Sequence, residues 1–208
     1  MKISYAITVC TELKEITILL NFLLEMKRKE DEIVVLFDKG NGTAEVWDRL
    51  QELNGQANTI LEAGTFKNHF ADWKNKLTDM CTGDYIFQID ADEVPNRLLI
   101  KNLPKIIESN PDNEVYLVPR VNTVKGLTKE HIQKWGWRVD EKGWVNFPDF
   151  QWRIWKNKPE IKWKNKVHEY LVGHKKFSPL PAMEDLCLYH HKSIEKQEKQ
   201  NNFYEGLL

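Results

Sequence analysis

The residues best placed to do chemistry are Asp90-Ala91-Asp92-Glu93, which follow directly on the apolar run Tyr85 to Ile89. On an extended backbone the side chains of Asp90 and Asp92 point to the same side. Together they supply hard oxygen ligands for Mg2+ or Mn2+, while Glu93 points away from the pair. An Asp-x-Asp by itself serves equally as an N-terminal cap, here for a helix opened by Pro95 and Asn96. The buried strand in front of it favours the metal reading, because the C-terminal edge of strands in an open α/β sheet is where ligands bind.

The elements that must position these acids are legible in the first half, where short apolar runs alternate with helix-period segments. Ile3 to Cys10 reads as a strand, followed by a helix with Ile16, Leu19, Leu20, Leu23 and Leu24 on one stripe. Ile33 to Phe37 is a second strand ending at Asp38. A Lys39-Gly40-Asn41-Gly42 turn then leads into a helix through Val46, Leu50 and Leu53. Thr59 to Leu61 gives a short third strand, and Phe70, Trp73, Leu77 and Met80 form the inner stripe of a helix closed by Gly83. After the strand Tyr85 to Ile89 comes a helix with Leu98, Leu99, Leu103, Ile106 and Ile107 inside. The pattern predicts an α/β fold with a mainly parallel central sheet flanked by helices, in which Thr8, Asp38 and Asp90 line one crevice at the strand ends.

From Glu114 onward the texture changes to aromatic-rich strands, Val115 to Val118, Phe150 to Trp155, Ile161 to Trp163 and Leu186 to Tyr189, with long polar connections. Val121 to Asn146 has no clean period and the length of a lid or binding loop. The tail from Ser193 is polar and helix-prone. With no low-complexity linker or internal repeat, a single domain over residues 1–208 is expected, with halves at 1–113 and 114–208.

Composition narrows the function classes. Thirty basic and 31 acidic residues leave a formal net charge of −1, so no global field attracts nucleic acid, and the lysines between Lys156 and Lys166 match no basic recognition motif. No apolar run approaches the ~18 residues of a membrane span, and the N-terminus enters a strand without the regions of a secretion signal. Cys10, Cys81 and Cys187 are odd in number and widely spaced, which suits a reducing compartment, and a cytoplasmic, at most membrane-peripheral, protein is expected. Of eight tryptophans six lie in the second half; packing explains most such rings, and sugar stacking explains a few.

Several of these landmarks, taken in order, resemble family 2 glycosyltransferases of the GT-A fold, a Rossmann-like nucleotide-diphospho-sugar transferase architecture. Thr82-Gly83-Asp84-Tyr85-Ile86-Phe87-Gln88-Ile89-Asp90-Ala91-Asp92-Glu93 is the nearest match. Ala6-Ile7-Thr8-Val9-Cys10-Thr11-Glu12 is similar to the first strand and nucleotide-binding turn. It carries Thr8, Cys10 and Thr11 where Pro, Tyr and Asn are more usual, so no stacking ring is carried over to Cys10. Asp38 matches the acid that binds a uracil-type base, and Phe70-Ala71-Asp72-Trp73-Lys74-Asn75 the helix whose basic residue and Asn face the nucleotide. Pro148 to Trp155, Ile161 to Trp163 and Val167-His168-Glu169-Tyr170-Leu171 resemble a subgroup with a His-Glu element on the acceptor side.

The resemblance implies a nucleotide-sugar-binding half at 1–113, an aromatic-rich acceptor-side half at 114–208, and a donor site of Thr8, Cys10, Asp38, Lys74, Asn75, Asp90, Ala91 and Arg153. It also implies a Mn2+ or Mg2+ ion on Asp90 and Asp92, with His190 favoured over the adjacent His191 as a third ligand. An inverting transfer needs a carboxylate to take the acceptor hydroxyl's proton; Glu169 is the candidate catalytic base beside Asp92, with Asp149 or Glu184-Asp185 as alternatives. Lys192 and Arg153 are candidates to offset charge on the leaving diphosphate. The expected partners are a UDP-sugar donor and a glycan, lipid-linked or protein acceptor. Two rivals make different demands. A nucleotidyltransferase needs a Gly-rich basic loop after the first strand, and a silent carbohydrate-binding module should show no metal-dependent nucleotide affinity.

Overall fold

The computed structural model describes residues 1–53 and 55–205. β1 (Ile3–Val9), β2 (Glu32–Asp38), β3 (Thr59–Gly64) and β4 (Tyr85–Asp90) run parallel in the spatial order β3-β2-β1-β4. They are joined by α1 (Leu13–Met26), α2 (Ala44–Gln51) and α3 (Phe70–Met80). β1 alternates between two cores. Ile3, Tyr5, Ile7 and Val9 pack with Leu19, Leu20 and Leu23 of α1 and Val46 and Leu50 of α2, whereas Ala6 faces Ala71, Trp73 and Leu77 of α3. Helices on both faces explain why these strands read as continuous apolar runs rather than as alternation. The chain winds from β1 outward to β3 and returns through α3 to β4 on the other side of β1. The sheet order therefore switches at β1, and a crevice opens at the strand C-termini between Val9, Asp38 and Asp90.

The second half extends this same sheet. β7 (Val145–Lys156) lies antiparallel to β4, followed by β6 (Val115–Lys125), β11 (Leu188–Ser193) and β5 (Glu93–Pro95). β10 (Phe177–Pro179) runs parallel beside β6, and β8 (Lys162–Lys164) forms a separate hairpin with β9 (Tyr170–Val172). The fold class is the α/β architecture read from the sequence.

Boundaries moved where pairing, rather than pattern, decides. β6 continues to Lys125 because β11 hydrogen-bonds it from Arg120 onward. The supposed irregular segment holds α5 (Lys129–Trp135), capped at Thr128, ended by Gly136 in the left-handed conformation at φ 63°, and burying nothing. It lacks the apolar stripe that reveals a helix. Pro95 closes β5 instead of opening α4 (Arg97–Glu108), whose N-cap is Asn96. The buried face of α4 is Leu99, Ile100, Leu103 and Ile107, with Leu98 left 40% exposed. The turn after β2 requires glycine: a Cβ on Gly42 would sit 2.3 Å from the Phe37 ring and 2.4 Å from the Asp38 carbonyl oxygen. α6 (Ile194–Glu205) follows β11 without a loop.

Candidate active site

Two adjoining cavities open at the strand ends, of about 480 Å³ and about 450 Å³. The first is lined by Thr8, Cys10, Asp38, Asn41, Ala91 and the rings of Phe66, Phe70 and Trp73. Asp38, 4% exposed, is held by its own turn and by β3's exit. Its Oδ1 accepts from the Gly40 and Phe66 amides at 3.0 and 3.1 Å, and its Oδ2 from Asn41 Nδ2 at 2.8 Å. Burial opposes ionisation, but these donors hold the carboxyl below its ordinary range. Cys10, whose thiol is pushed up to about 11 by burial and by Glu12 and Asp38, lies beside it as a neutral wall. The backbone amides of Cys10 and Thr11 are already taken by Glu12 Oε2, at 3.0 and 2.9 Å. An acidic group thus stands where a nucleotidyltransferase would place a basic phosphate loop.

The second cavity is polar, with Arg120, Asn122, Asp149, Gln151, Lys192 and Trp137 among its lining. Lys74, Asp90, Asp92, Glu169 and Gln200 line both cavities and form their common wall. Beneath that wall runs an ionic network. Arg153, 3% exposed on β7, pairs with Asp90 Oδ2 at 2.5 Å and with Glu93 Oε1 at 2.7 Å. Glu93, fully buried, also accepts from Arg120 at 2.9 Å and from the Asp90 amide at 3.1 Å. Burial raises the Asp90 carboxyl, but Arg153 first and Lys74 second outweigh it and hold it at about 2. Glu93 and Arg120 were absent from the sequence-based site. The signal was there: an arginine inside the strand run Gln151 to Trp155 must find a buried acid, since an unpaired buried charge is too costly to keep.

The network continues to His190. Arg120 and Asn122 both donate to Asp149 Oδ2, the latter at 2.8 Å, which turns the Asn122 carbonyl oxygen toward His190 Nδ1, also at 2.8 Å. Nδ1 is therefore the donor, and Nε2 faces Asp92 Oδ2 at 3.3 Å. β11 lies between β6 and β5, pairing His190 with Asn122 on one side and Glu93 on the other, and so brings the imidazole to the Asp-x-Asp. His191 points away, against Thr123 and Tyr189. Burial would raise the Asp92 carboxyl; the hydrogen bond and charge that His190 supplies when both ring nitrogens carry protons, with the charges of Lys196 and Lys192, instead hold it far below the carboxylate range.

As a cation site the donor set fits in part. Asp92 and a fixed-tautomer imidazole converge, as hard oxygen and borderline nitrogen ligands. Asp90 does not join them, because Arg153 holds its Oδ2 and Gln88 donates to its Oδ1 at 3.0 Å. Among the described residues no three His, Cys, Asp or Glu side chains converge as a ready-made metal cluster.

Glu169 stands at the common wall in an ion pair. Its partner is Lys74, from α3, at 2.5 Å, and Lys74 Nζ lies 4.5 Å from the Trp163 ring centroid. Asp149 has both oxygens engaged, by Arg120, Asn122 and Gln151, and lies below its ordinary range despite burial, which disfavours it as a base. Glu184 pairs with exposed Lys142 and, like Asp185, lines neither cavity.

Asn75 differs from expectation. Its amide accepts from the Trp163 backbone N–H at 2.8 Å and donates to the Trp163 carbonyl at 3.0 Å, pinning α3 to β8 away from both cavities. A helical position one residue beyond Lys74 faces about 100° away, so the two cannot share a ligand. Asn75→Ala is expected to cost roughly 1–3 kcal/mol of stability, read as a lower urea midpoint, while a parallel UDP titration stays at the wild-type value. Of the second-half tryptophans, Trp155 and Trp163 are core, at 1% and 5% exposed, and Trp137 reaches a cavity.

Comparison with known proteins gives this geometry its context. No curated protein sequence matches the chain. Among solved structures, residues 1-349 of S. aureus TarS in complex with UDP align with a TM-score of 0.66 and 16% identity, covering 96% of this chain and 63% of that one. The same TarS segment with UDP-GlcNAc gives 0.64 and 17%, covering 92% and 59%. The longer TarS structure gives 0.65 and 16%, covering 92% and 37%. The chain thus spans less than two thirds of these proteins, and the likeness is one of fold, the GT-A architecture. The model of glycosyl transferase family 2 matches residues 4–178, from the first residues of β1 through the Asp-x-Asp to β10. On that match, over most of its length, the chain belongs to glycosyl transferase family 2.

Proposed function

We propose that this chain moves a sugar from a nucleoside-diphosphate donor, a UDP-sugar, to an acceptor hydroxyl with inversion at the transferred carbon. The observation that carries the proposal is the common wall of the two cavities. Asp90, Asp92, Lys74 and Glu169 border a pocket with nucleoside character and a pocket with polar, acceptor character at once. A group transferred across that wall passes the same four side chains. The UDP and UDP-GlcNAc seen in the TarS structures support this donor class.

Asp38 and Asn41 recognise the base edge, Thr8 and Ala91 border the sugar of the nucleoside, and Asp92 with His190 holds a Mn2+ or Mg2+ ion. When bound, that ion supplies positive charge to the leaving diphosphate. Asp90 acts beside it, oriented by Arg153 rather than free to move. Arg153 therefore reaches the donor through Asp90; its guanidinium is already committed to two carboxylates. Glu169 takes the proton from the acceptor hydroxyl, and Lys74 fixes its carboxylate. The acceptor is a glycan, a lipid-linked sugar or a protein. No described helix is long and apolar enough to cross a membrane.

Calorimetric titration of UDP with and without Mn2+ tests the reading. Wild type is expected to bind UDP at least tenfold more tightly, about 1.4 kcal/mol, with Mn2+ present. In Asp92→Ala that difference disappears. Failure of UDP, GDP and dTDP alike to bind the wild type would leave a carbohydrate-binding module as the better account.

A further inference from the structure

α6 places three side chains on one face at the i, i+4, i+7 spacing: Lys196, Gln200 and Phe203. Each meets the site. Lys196 Nζ lies 3.2 Å from Asp92 Oδ2 and 3.3 Å from Glu15 Oε1, Gln200 lines both cavities and accepts from Lys192, and Phe203 lines the nucleoside cavity. No described side chain of the helix is buried. Polar contacts tie it to the rest of the molecule, among them the two Lys196 ion pairs, the Lys192 bond, and Glu198 to His131 at 3.7 Å. With no side chain of its described residues buried, such a helix can shift at smaller cost than an element packed in the core.

The placement has a chemical reading. Lys196 is an ammonium on a flexible stem, 36% exposed, standing at the carboxylate that faces His190. Phe203 offers an aromatic ring, 46% exposed, to a cavity in which Cys10 on the β1 turn offers none. An ammonium at one end of a helix face and a ring two turns further on match the two ends of a nucleoside diphosphate, its phosphates and its base.

We propose that α6 is part of the donor site, with Lys196 moving from Asp92 onto the diphosphate and Phe203 stacking on the base. The proposal rests on the donor reading above and deepens it. In the donor-free protein Lys196 neutralises Asp92 and competes there with a divalent cation. With the donor bound its charge is spent on phosphate oxygens, which form stronger, charge-assisted hydrogen bonds. The ring supplies a sequence-tolerant face for the base.

The test is calorimetry with two probes, UDP and inorganic pyrophosphate, at saturating Mn2+, and with Mn2+ alone. Lys196→Gln is expected to weaken both UDP and pyrophosphate about tenfold, and to bind Mn2+ alone more tightly than wild type. Phe203→Ala is expected to weaken UDP about tenfold and leave pyrophosphate unchanged. The opposed effects of Lys196→Gln on Mn2+ and on UDP are not what general destabilisation produces. Wild-type UDP affinity in Lys196→Gln overturns the Lys196 assignment, and in Phe203→Ala the Phe203 assignment, with the donor reading intact. If wild type binds no nucleoside diphosphate at all, the donor reading falls and this proposal with it.

Discussion

Glu169→Gln is expected to lower kcat roughly 10²–10⁴-fold, the usual contribution of a positioned general base, while UDP affinity stays near wild type. Glutamine keeps the shape and an oxygen for Lys74 to donate to, but it cannot accept the acceptor's proton. Glu169 also sits where loss of activity can be separated from loss of donor binding: it borders the polar cavity as well as the nucleoside cavity, and its partner Lys74 is 7% exposed and pinned over Trp163. Single-turnover transfer from a UDP-sugar, beside a UDP titration, makes the measurement. Near-normal turnover in the variant would remove Glu169 from the mechanism. Asp149 is then not the next candidate, since Arg120, Asn122 and Gln151 already occupy its carboxylate.

Arg153→Leu is expected to be the most damaging single change to the fold among the residues of the site. It removes the cation shared by Glu93, which is fully buried, and Asp90, and leaves Glu93 with Arg120 and the Asp90 amide. Breaking a buried ionic network by deleting one partner costs roughly 3–5 kcal/mol, because the remaining charge has lost its compensation without regaining water. In a domain of this size that corresponds to a fall in Tm of about 10 °C. Thermal and urea unfolding followed by circular dichroism read it directly. Adding Glu93→Leu to Arg153→Leu should recover part of the loss, since the pair is then removed together. A single variant as stable as wild type would show that the network contributes no net stability. Transfer should fall as well, because Asp90 would lose the guanidinium that orients it beside Asp92.

The parallel strands, the helices between them and the position of Asp38 and Asp90 at strand ends were legible in the sequence. Those features depend on local period, burial of both sheet faces and turn residues such as Gly42, all of which leave marks within a few residues. The nearness of Glu169 to the acids was carried by resemblance alone, and the partner that holds it, Lys74, lies 95 positions earlier on α3. Asn75, adjacent to Lys74, is placed at the nucleotide by resemblance, because a linear motif does not show that neighbouring helical residues face different ways. α5 leaves no periodic mark in the sequence because it buries nothing, and α6 reads only as a polar helix.

What the sequence determined by itself was the architecture and the type of chemistry: acids at the C-terminal edge of a buried strand in an α/β sheet. What only the tertiary structure decided was which side chains meet there. His190 reaches Asp92 because β11 pairs with β5, Arg153 reaches Asp90 because β7 pairs with β4, and Lys196 reaches Asp92 because α6 leaves β11 without a loop. The reason is physical. Local periodicity specifies which face of an element is apolar, but the partner of a charged group is chosen by strand pairing between segments far apart in the chain, where an unpaired buried charge is not tolerated.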